Sequence, residues 1–143
     1  MKRLLADALQ GARDRGMRQA VAQWEEPENL PLKAAAEYAG RSDRVINEER
    51  QKGRLYALVL PGKSRGCRYP QWQFDAEPER VAAVLAPFNQ AGASCWVVHN
   101  FLHRPHEMLG GVAPRERILD STYSIDRIVR VAADRYRGDQ GAG

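Results

Sequence analysis

Apolar residues near the N-terminus recur at helical spacing. Leu5, Leu9 and Ala12 lie three or four positions apart and predict one long or broken helix over residues 3–24. The segment EEPENLP that follows contains two prolines, which end this helix and leave a short connector. A new structural unit is therefore expected to begin near residue 30.

The next segment, LKAAAEYAGRSDRVINEERQKGRL, has the pattern of two short helices. Gly40 closes the first helix, and Ser42 or Asp43 is the predicted N-cap of the second, which ends at Gly53. Small residues at the crossing and two aliphatic residues facing inward are expected to pack the pair together: Ala35, Ala36, Val45 and Ile46. This pattern is typical of a helix-turn-helix.

Strand patterns replace helical spacing after the second helix. LYALVL is predicted to be a strand, PGKSRG a turn with a flexible tip, and CRYPQWQF a returning strand. Pro70 has no backbone N–H to donate, so the returning strand is expected at an edge. A helix pair followed by a basic hairpin predicts a winged helix-turn-helix.

The second half of the chain is predicted to be helical. Val81, Val84, Leu85 and Phe88 form the apolar stripe of a helix that opens near Pro78. Three further helices are expected over residues 93–103, 114–119 and from 124 onward, with breaks at Pro105 and at Gly110–Gly111.

These elements predict a mainly α protein with a small β-hairpin, namely a winged helix-turn-helix followed by a small helical domain. Three units are expected: an N-terminal helix that is a candidate for dimerisation (1–29), the winged DNA-binding unit (30–75) and the helical domain (76–143). A chain of 143 residues has room for one ordinary domain or two small ones. Its 43% hydrophobic and 28% charged residues indicate a globular protein rather than a disordered one.

The composition also bears on localisation. No apolar run in the sequence approaches the roughly 18 residues that a membrane span needs. Two cysteines, Cys67 and Cys95, are too few for a disulfide framework. We therefore expect a cytoplasmic protein without a membrane partner.

The formal charge of +4 belongs to the first half of the chain. Residues 1–75 hold 14 Lys and Arg against 10 Asp and Glu, whereas residues 76–143 hold eight of each kind. Within the first half, residues 41–68 hold eight cations against three carboxylates, a local charge of +5. Positive charge concentrated on a predicted helix-turn-helix favours a polyanion such as DNA as the partner.

The residues predicted to contact DNA lie on the outward face of the second short helix and on the hairpin: Ser42, Arg44, Asn47, Arg50, Gln51, Lys63, Arg65 and Arg68. Arginine can read guanine bidentately, and asparagine or glutamine can read adenine. The hairpin cations suit phosphate or the minor groove. The alternative is an ordinary solvated face, in which Glu48 pairs with Lys52 one turn further along.

The segment from residue 32 to residue 74 resembles the compact winged helix-turn-helix of the MerR and excisionase type. The shared features are the small-residue helix pair, the GRL that follows it and the basic hairpin. This resemblance implies DNA binding and indicates no particular operator.

Residues 77–137 resemble the toxin-binding domain of Xre/MbcA/ParS-type antitoxins. The matching pattern is a tryptophan, a proline-containing break, Leu-Gly-Gly, a further proline and a leucine-rich helix: Trp96, Pro105, Leu109, Gly110, Gly111, Pro114, Ile118 and Leu119. The resemblance implies an antitoxin that represses its own operon, tends to dimerise and occludes the NAD cleft of a RES-domain toxin, which consumes NAD or transfers ADP-ribose. The chain departs from the better-known members in carrying a winged unit instead of a multi-helix Xre domain.

Candidate toxin-binding residues follow from this second resemblance: Trp96, His103, Arg104, Leu109, Gly110, Gly111, Arg135, Tyr136 and Arg137. The implied partners are a RES-domain toxin encoded by the adjacent gene and operator DNA, with a homodimer inside a larger complex. The structural alternative is that the glycines form a positive-φ turn, the prolines fix helix ends and the tryptophan packs a core.

Catalysis and metal binding have weaker signals. The HEML segment is not an HExxH motif, and neither G-x-S-x-G nor Walker A occurs, so we expect no enzyme activity and no cofactor. Cys95, His99 and His103 fall at i, i+4 and i+8, a spread too long for one zinc ion, so a metal-dependent sensor would need ligands from another element.

The remaining alternative to an antitoxin is a phage or plasmid transcription regulator whose C-terminal domain only oligomerises.

Overall fold

A computed structural model of the chain describes the backbone of residues 2–141 and the side chains of residues 2–135. The elements in chain order are α1 (Lys2–Trp24), β1 (Asn29–Pro31), α2 (Leu32–Ala39), α3 (Asp43–Gln51), β2 (Arg68–Pro70), a 3-10 helix (Gln71–Phe74), α4 (Pro78–Gln90), α5 (Cys95–His103), a 3-10 turn (Glu107–Leu109), α6 (Pro114–Leu119) and α7 (Ile125–Gly141). The predicted fold class is confirmed, since the chain is mainly helical with one small antiparallel sheet of two strands. None of the described helices combines the length and the apolar composition that crossing a bilayer requires.

Helix α1 is continuous, and most of its residues are exposed to solvent. Among its described residues only Ala20 is buried, close to the C-terminal end. Leu4, Leu5 and Leu9 are exposed by 75%, 63% and 51%. The apolar spacing that predicted this helix therefore describes a solvent-facing stripe and not a core-facing one.

Helices α2 and α3 form the predicted helix-turn-helix. Gly40 ends α2 in the left-handed conformation at φ +68°, and the hydroxyl oxygen of Ser42 caps α3 by accepting from the Val45 amide at 3.2 Å. Ile46 is fully buried, as predicted. The inward position predicted for Val45 is wrong, because its side chain is 37% exposed and this nine-residue helix buries only a narrow face.

The predicted hairpin partner of the returning strand is wrong. β2 pairs antiparallel with β1, with Leu30 opposite Tyr69, whereas LYALVL contributes a single bridge from Leu58 to Arg68. β2 is an edge strand of this two-stranded sheet, as predicted, and on its other side it makes only the isolated bridge from Arg68 to Leu58. Pro70 lies opposite Asn29, and the amide of the next residue, Gln71, donates to the carbonyl of Glu28 at 2.9 Å. Because hydrogen-bonded and non-hydrogen-bonded pairs alternate in an antiparallel ladder, no donor is required of Pro70 towards β1.

LYALVL forms no regular strand because it runs between two apolar clusters. Leu55 and Ala57 pack against the helix-turn-helix, and Tyr56 and Leu58 pack against the C-terminal helices. The backbone of Tyr56 is paired by the buried side chain of Gln73, which accepts from its N–H at 3.1 Å and donates to its carbonyl at 2.8 Å. A side chain thus supplies the hydrogen bonds that a neighbouring strand would otherwise provide.

The C-terminal helices supply most residues of the larger hydrophobic cluster, and a few residues of the first half of the chain pack into it. All four residues of the α4 stripe are buried, as predicted: Val81, Val84, Leu85 and Phe88. Phe101 of α5 packs on Phe88 with ring centroids 5.1 Å apart, and Ile128 of α7 is fully buried. Trp72 joins this cluster from the segment before α4, so the predicted second and third units are continuous in their packing.

Two arginines fix the turns of the C-terminal half. Arg80 is 9% exposed and donates to the carbonyls of Arg117, Ile118 and Asp120, each at 2.9 Å, where α6 ends. Arg117 donates through Nε to the carbonyl of Leu109 at 3.0 Å, where the 3-10 turn ends. These cations donate to backbone carbonyls at the ends of α6 and of the 3-10 turn, so both have a structural role.

Candidate nucleic-acid interface

Asn47 and Arg50 of the predicted recognition helix are half-buried and not fully outward as predicted, and both contact one buried hydroxyl. Tyr69 of β2 is fully buried, and its hydroxyl accepts from Nε of Arg50 at 3.1 Å and donates to Oδ1 of Asn47 at 3.4 Å. Burial raises the pKa of Tyr69, and the bond from Arg50 offsets part of that rise. The phenol therefore stays protonated at neutral pH and holds both side chains of α3 in a fixed position.

The remaining predicted residues of α3 lie at its surface. Nε of Arg44 lies 3.0 Å from Oε1 of Glu48, and the Arg44 side chain is 89% exposed. Such an exposed pair contributes little to stability, so the arginine can exchange its carboxylate partner for a phosphate or a base. Glu48 thus pairs with Arg44 and not with Lys52, the partner considered from the sequence. Ser42 is engaged as the helix cap, and Gln51 is exposed at the last position of α3.

The hairpin cations lie on or beside an irregular loop. We call residues 59–67 the basic loop; the Leu58–Arg68 bridge closes it, with N–H···O distances of 2.7 Å and 2.9 Å. Lys63 and Arg65 are exposed near its tip. Arg68 at its base is half-buried, and its guanidinium lies 4.1 Å from the ring centroid of Trp24 of α1.

The charged residues from the end of α3 through the basic loop are all positive. Between residues 50 and 74 the sequence contains six Lys or Arg and no Asp or Glu. Glu49 precedes this stretch and lies 3.8 Å from both Arg41 and Arg54, so its charge is already compensated. This region combines positive charge with amide and guanidinium donors, the chemistry that recognition of a nucleic acid requires.

The predicted toxin-binding residues fall into two groups. Leu109 is fully buried and packs the core, so its side chain is not available to a partner. Gly110 and Gly111 both adopt φ +77°, and a Cβ on Gly110 would lie 2.7 Å from Nη2 of Arg117. The Leu-Gly-Gly motif therefore has a structural explanation in this fold: it forms the turn that Arg117 closes.

Other residues of this predicted set lie at the surface. Arg104 and Arg135 are exposed, Trp96 is half-buried, and the side chains of Tyr136 and Arg137 lie outside the described part of the chain. A groove between the 3-10 turn and α7 is lined by His106, Met108, Arg130, Val131, Asp134 and Arg135. Met108 is 73% exposed, so this groove presents one large apolar side chain to solvent beside charged ones.

The histidines of α5 belong to an internal network. The indole of Trp72 donates to the hydroxyl of Tyr56 at 3.2 Å, and this hydroxyl lies 2.9 Å from Nδ1 of His99. Burial, together with the charges of His103 and Arg115, lowers the pKa of His99 to about 3, so the ring is neutral at physiological pH. Nδ1 of His103 donates to the carbonyl of His99 at 2.9 Å.

The residues of the metal-sensor alternative therefore have protein partners. Burial raises the pKa of the Cys95 thiol, and its sulfur faces the carbonyl of Val59 at 3.9 Å. Over the described side chains, no three or more His, Cys, Asp and Glu residues come together as a metal-ligating cluster.

Two residues that contact the candidate site have no clear sequence signal. Tyr69 supports the recognition residues from another element, and strand alternation indicates only that it faces away from Arg68. Trp24 comes from α1, which was expected to dimerise, yet it contacts the basic loop. Both contacts span long sequence distances, which local patterns do not report.

No protein-family model matches this chain, and no curated protein or solved structure matches it either.

Proposed function

We propose that this protein is the antitoxin of a type II toxin–antitoxin module and acts in the cytoplasm. It represses its own operon by binding operator DNA through α3 and the basic loop. Its C-terminal half binds and occludes a RES-type toxin encoded by the adjacent gene, which consumes NAD or ADP-ribosylates a target. The proposed activity is binding alone, without an enzymatic step or a cofactor.

The observation that carries the DNA-binding part is the arrangement of Asn47 and Arg50 on Tyr69. Two side chains with base-reading chemistry are held by a buried hydroxyl at 3.4 Å and 3.1 Å, so less conformational entropy is lost when they bind. Lys63 and Arg65 lie exposed on the adjacent loop, where cations can contact phosphate. A solvated helix face has no need for such support from the core.

The toxin-binding part is supported by the antitoxin resemblance and by the groove beside α7. The apolar residues of this groove are exposed Met108 and half-buried Val131, and its polar residues are His106, Arg130, Asp134 and Arg135. Methionine and arginine are both enriched where proteins bind one another. The proposed contact with the toxin therefore centres on this groove and on the exposed Arg104.

One observation favours the second candidate, a phage or plasmid regulator whose other surfaces only oligomerise. The exposed leucines of α1 suit a homodimer, and two helix-turn-helix units are needed to read two half-sites. Dimerisation is also part of the antitoxin proposal, so only a heterologous partner separates the two candidates.

The test uses the full-length protein together with the adjacent open reading frame. The neighbour is expressed alone and with the protein, growth is followed, and the lysate is passed over a sizing column with light scattering. The antitoxin proposal predicts growth arrest by the neighbour, rescue by co-expression and a co-eluting complex. Continued arrest with only a homo-oligomer would refute it and favour the regulator.

Groove variants locate the contact in the same experiment. Met108→Asp places a charge in the proposed interface and should abolish both rescue and co-elution. Val97→Asp alters another exposed aliphatic residue, 42% exposed on α5, and should leave rescue intact. Equal loss of rescue in both variants would count against the groove.

A further inference from the structure

The basic loop lies between two tryptophans from distant parts of the chain. The indole Nε1 of Trp24, in α1, donates to the carbonyl of Gly66 at 2.9 Å. The indole Nε1 of Trp96, in α5, donates to the carbonyl of Val59 at 3.0 Å. Val59 and Gly66 lie on opposite limbs of the loop, so each limb is fixed by one indole.

The loop has few hydrogen bonds of its own. Its base is the single bridge between Leu58 and Arg68, and the amide of Lys63 donates to the carbonyl of Leu60 at 3.0 Å to form one turn. Residues 61–66 are all exposed. A loop with so few buried contacts samples many conformations unless other elements hold it.

Trp24 makes two further contacts with the same limb. Its ring lies under the guanidinium of Arg68, 4.1 Å from the centroid. Gly66 adopts φ +81°, and a Cβ at this position would lie 3.5 Å from the indole ring. The backbone therefore passes close to the ring in a conformation that glycine allows.

We propose that Trp24 and Trp96 are positioning residues that hold the basic loop where Lys63 and Arg65 contact DNA. This inference rests on the proposed DNA-binding function. A loop held in advance loses less conformational entropy on binding, so its cations contribute more to affinity. Because one indole comes from α1 and the other from α5, the position of the loop depends on the N-terminal helix and on the C-terminal half together.

The third tryptophan provides a matched control. Trp72 is 8% exposed and also donates one indole hydrogen bond, to the hydroxyl of Tyr56 at 3.2 Å, away from the loop. Each tryptophan is replaced by phenylalanine in the full chain, which keeps an aromatic ring and removes the N–H. Comparison with Trp72→Phe then distinguishes effects on the loop from the loss of stability that removal of any indole hydrogen bond causes.

The first readout needs no DNA, because Lys63 and Arg65 are themselves trypsin sites. Native protein is digested briefly, and cleavage after these two residues is followed by intact-mass spectrometry. Trp24→Phe and Trp96→Phe should each raise the cleavage rate roughly 2- to 12-fold, the factor that one net hydrogen bond represents. Trp72→Phe should leave the rate at the wild-type value. Unchanged rates in the first two variants, or an equal rise in all three, would overturn the proposal.

The second readout is the salt dependence of binding to the upstream promoter. In Trp24→Phe and Trp96→Phe the slope of log Kd against log salt should fall by about one for each DNA phosphate that the loop cations no longer neutralise. Trp72→Phe should keep the wild-type slope. Faster cleavage with an unchanged slope would also overturn the proposal. If the wild-type protein does not bind its promoter, the proposed function fails, and the cleavage rates alone decide whether the two indoles hold the loop.

Discussion

Removing the hydroxyl of Tyr69 tests whether the recognition helix is supported from the core. Tyr69→Phe keeps the buried ring and deletes the oxygen that lies 3.1 Å from Nε of Arg50 and 3.4 Å from Oδ1 of Asn47. The apolar contacts of the ring, including Phe74 at 6.5 Å between centroids, remain in place. Any change therefore reports the two polar contacts.

The expected loss of stability is modest. The bond from Arg50 has good geometry but a partly solvated donor, and the contact with Asn47 lies near the outer limit for a hydrogen bond. We expect the free energy of unfolding to fall by about 1 kcal/mol. For a chain of this size, that decrease lowers Tm by about 2 to 4 °C.

The expected effect on DNA binding is selective. Asn47 and Arg50 lose the group that orients them, so discrimination at the base pairs they contact should fall by about 1 kcal/mol, the free energy of the lost contacts. Affinity for DNA of random sequence should change little, because it depends on charge and the variant removes none. The measurements are urea unfolding and fluorescence anisotropy with promoter and random duplexes.

Tyr38→Phe is the matched control for this experiment. Its hydroxyl donates to Oδ1 of Asp75 at 2.6 Å, at the surface and outside the recognition face. This variant should bind both duplexes like the wild type. Wild-type stability and selectivity in Tyr69→Phe, or an equal loss of affinity for both duplexes, would refute the support ascribed to this hydroxyl.

Three further predictions concern the C-terminal half. Gly110→Ala should lower Tm more than Gly111→Ala, because both positions have φ +77° but only the first would place a Cβ 2.7 Å from Nη2 of Arg117; equal shifts would contradict this. Arg80→Ala should lower the free energy of unfolding by about 3 kcal/mol, because three carbonyls lose a buried charged donor. Arg80→Lys should recover part of that stability in the same urea titration. The pKa of His99 lies near 3 in the folded chain, below its unfolded value of 6.5, so the unfolded state binds more protons and stability should fall as pH is lowered from 6.5 towards 3. His99→Gln should make that decline shallower, and an unchanged slope would speak against a buried neutral ring.

The sequence alone predicted the features that depend only on residues within one helix or at its ends. Gly40 and Ser42 end and cap their helices through local geometry, so the helix-turn-helix boundaries were predictable. The stripe ending at Phe88 follows from one period of one helix, and it is buried as predicted.

Prediction failed where tertiary contacts replaced local patterns. LYALVL has the composition of a strand, but Gln73 pairs its backbone and two apolar clusters cover its alternate side chains. The leucines of α1 have core-like spacing and are exposed, since a periodic pattern predicts a face without indicating what covers it.

The candidate DNA-binding residues were predictable by chemistry and position, but their support was not. Helical geometry places Arg44 outward without information from the rest of the fold, and its side chain is 89% exposed. The contact from Tyr69 to Asn47 spans 22 residues, and that from Trp24 to Gly66 spans 42. Such pairings arise from the chain topology, and no spacing rule reports them.

The most direct test of the proposed interface measures binding of the full-length protein to its own upstream promoter and to a shuffled duplex of equal composition. At about 150 mM salt we predict a preference of at least about 1,000-fold for the promoter. Arg44→Ala and Asn47→Ala should reduce this preference, whereas Lys63→Ala should weaken binding to both duplexes equally. Equal affinity of the wild-type protein for the two duplexes, or equal losses in all three variants, would contradict sequence-specific recognition by α3.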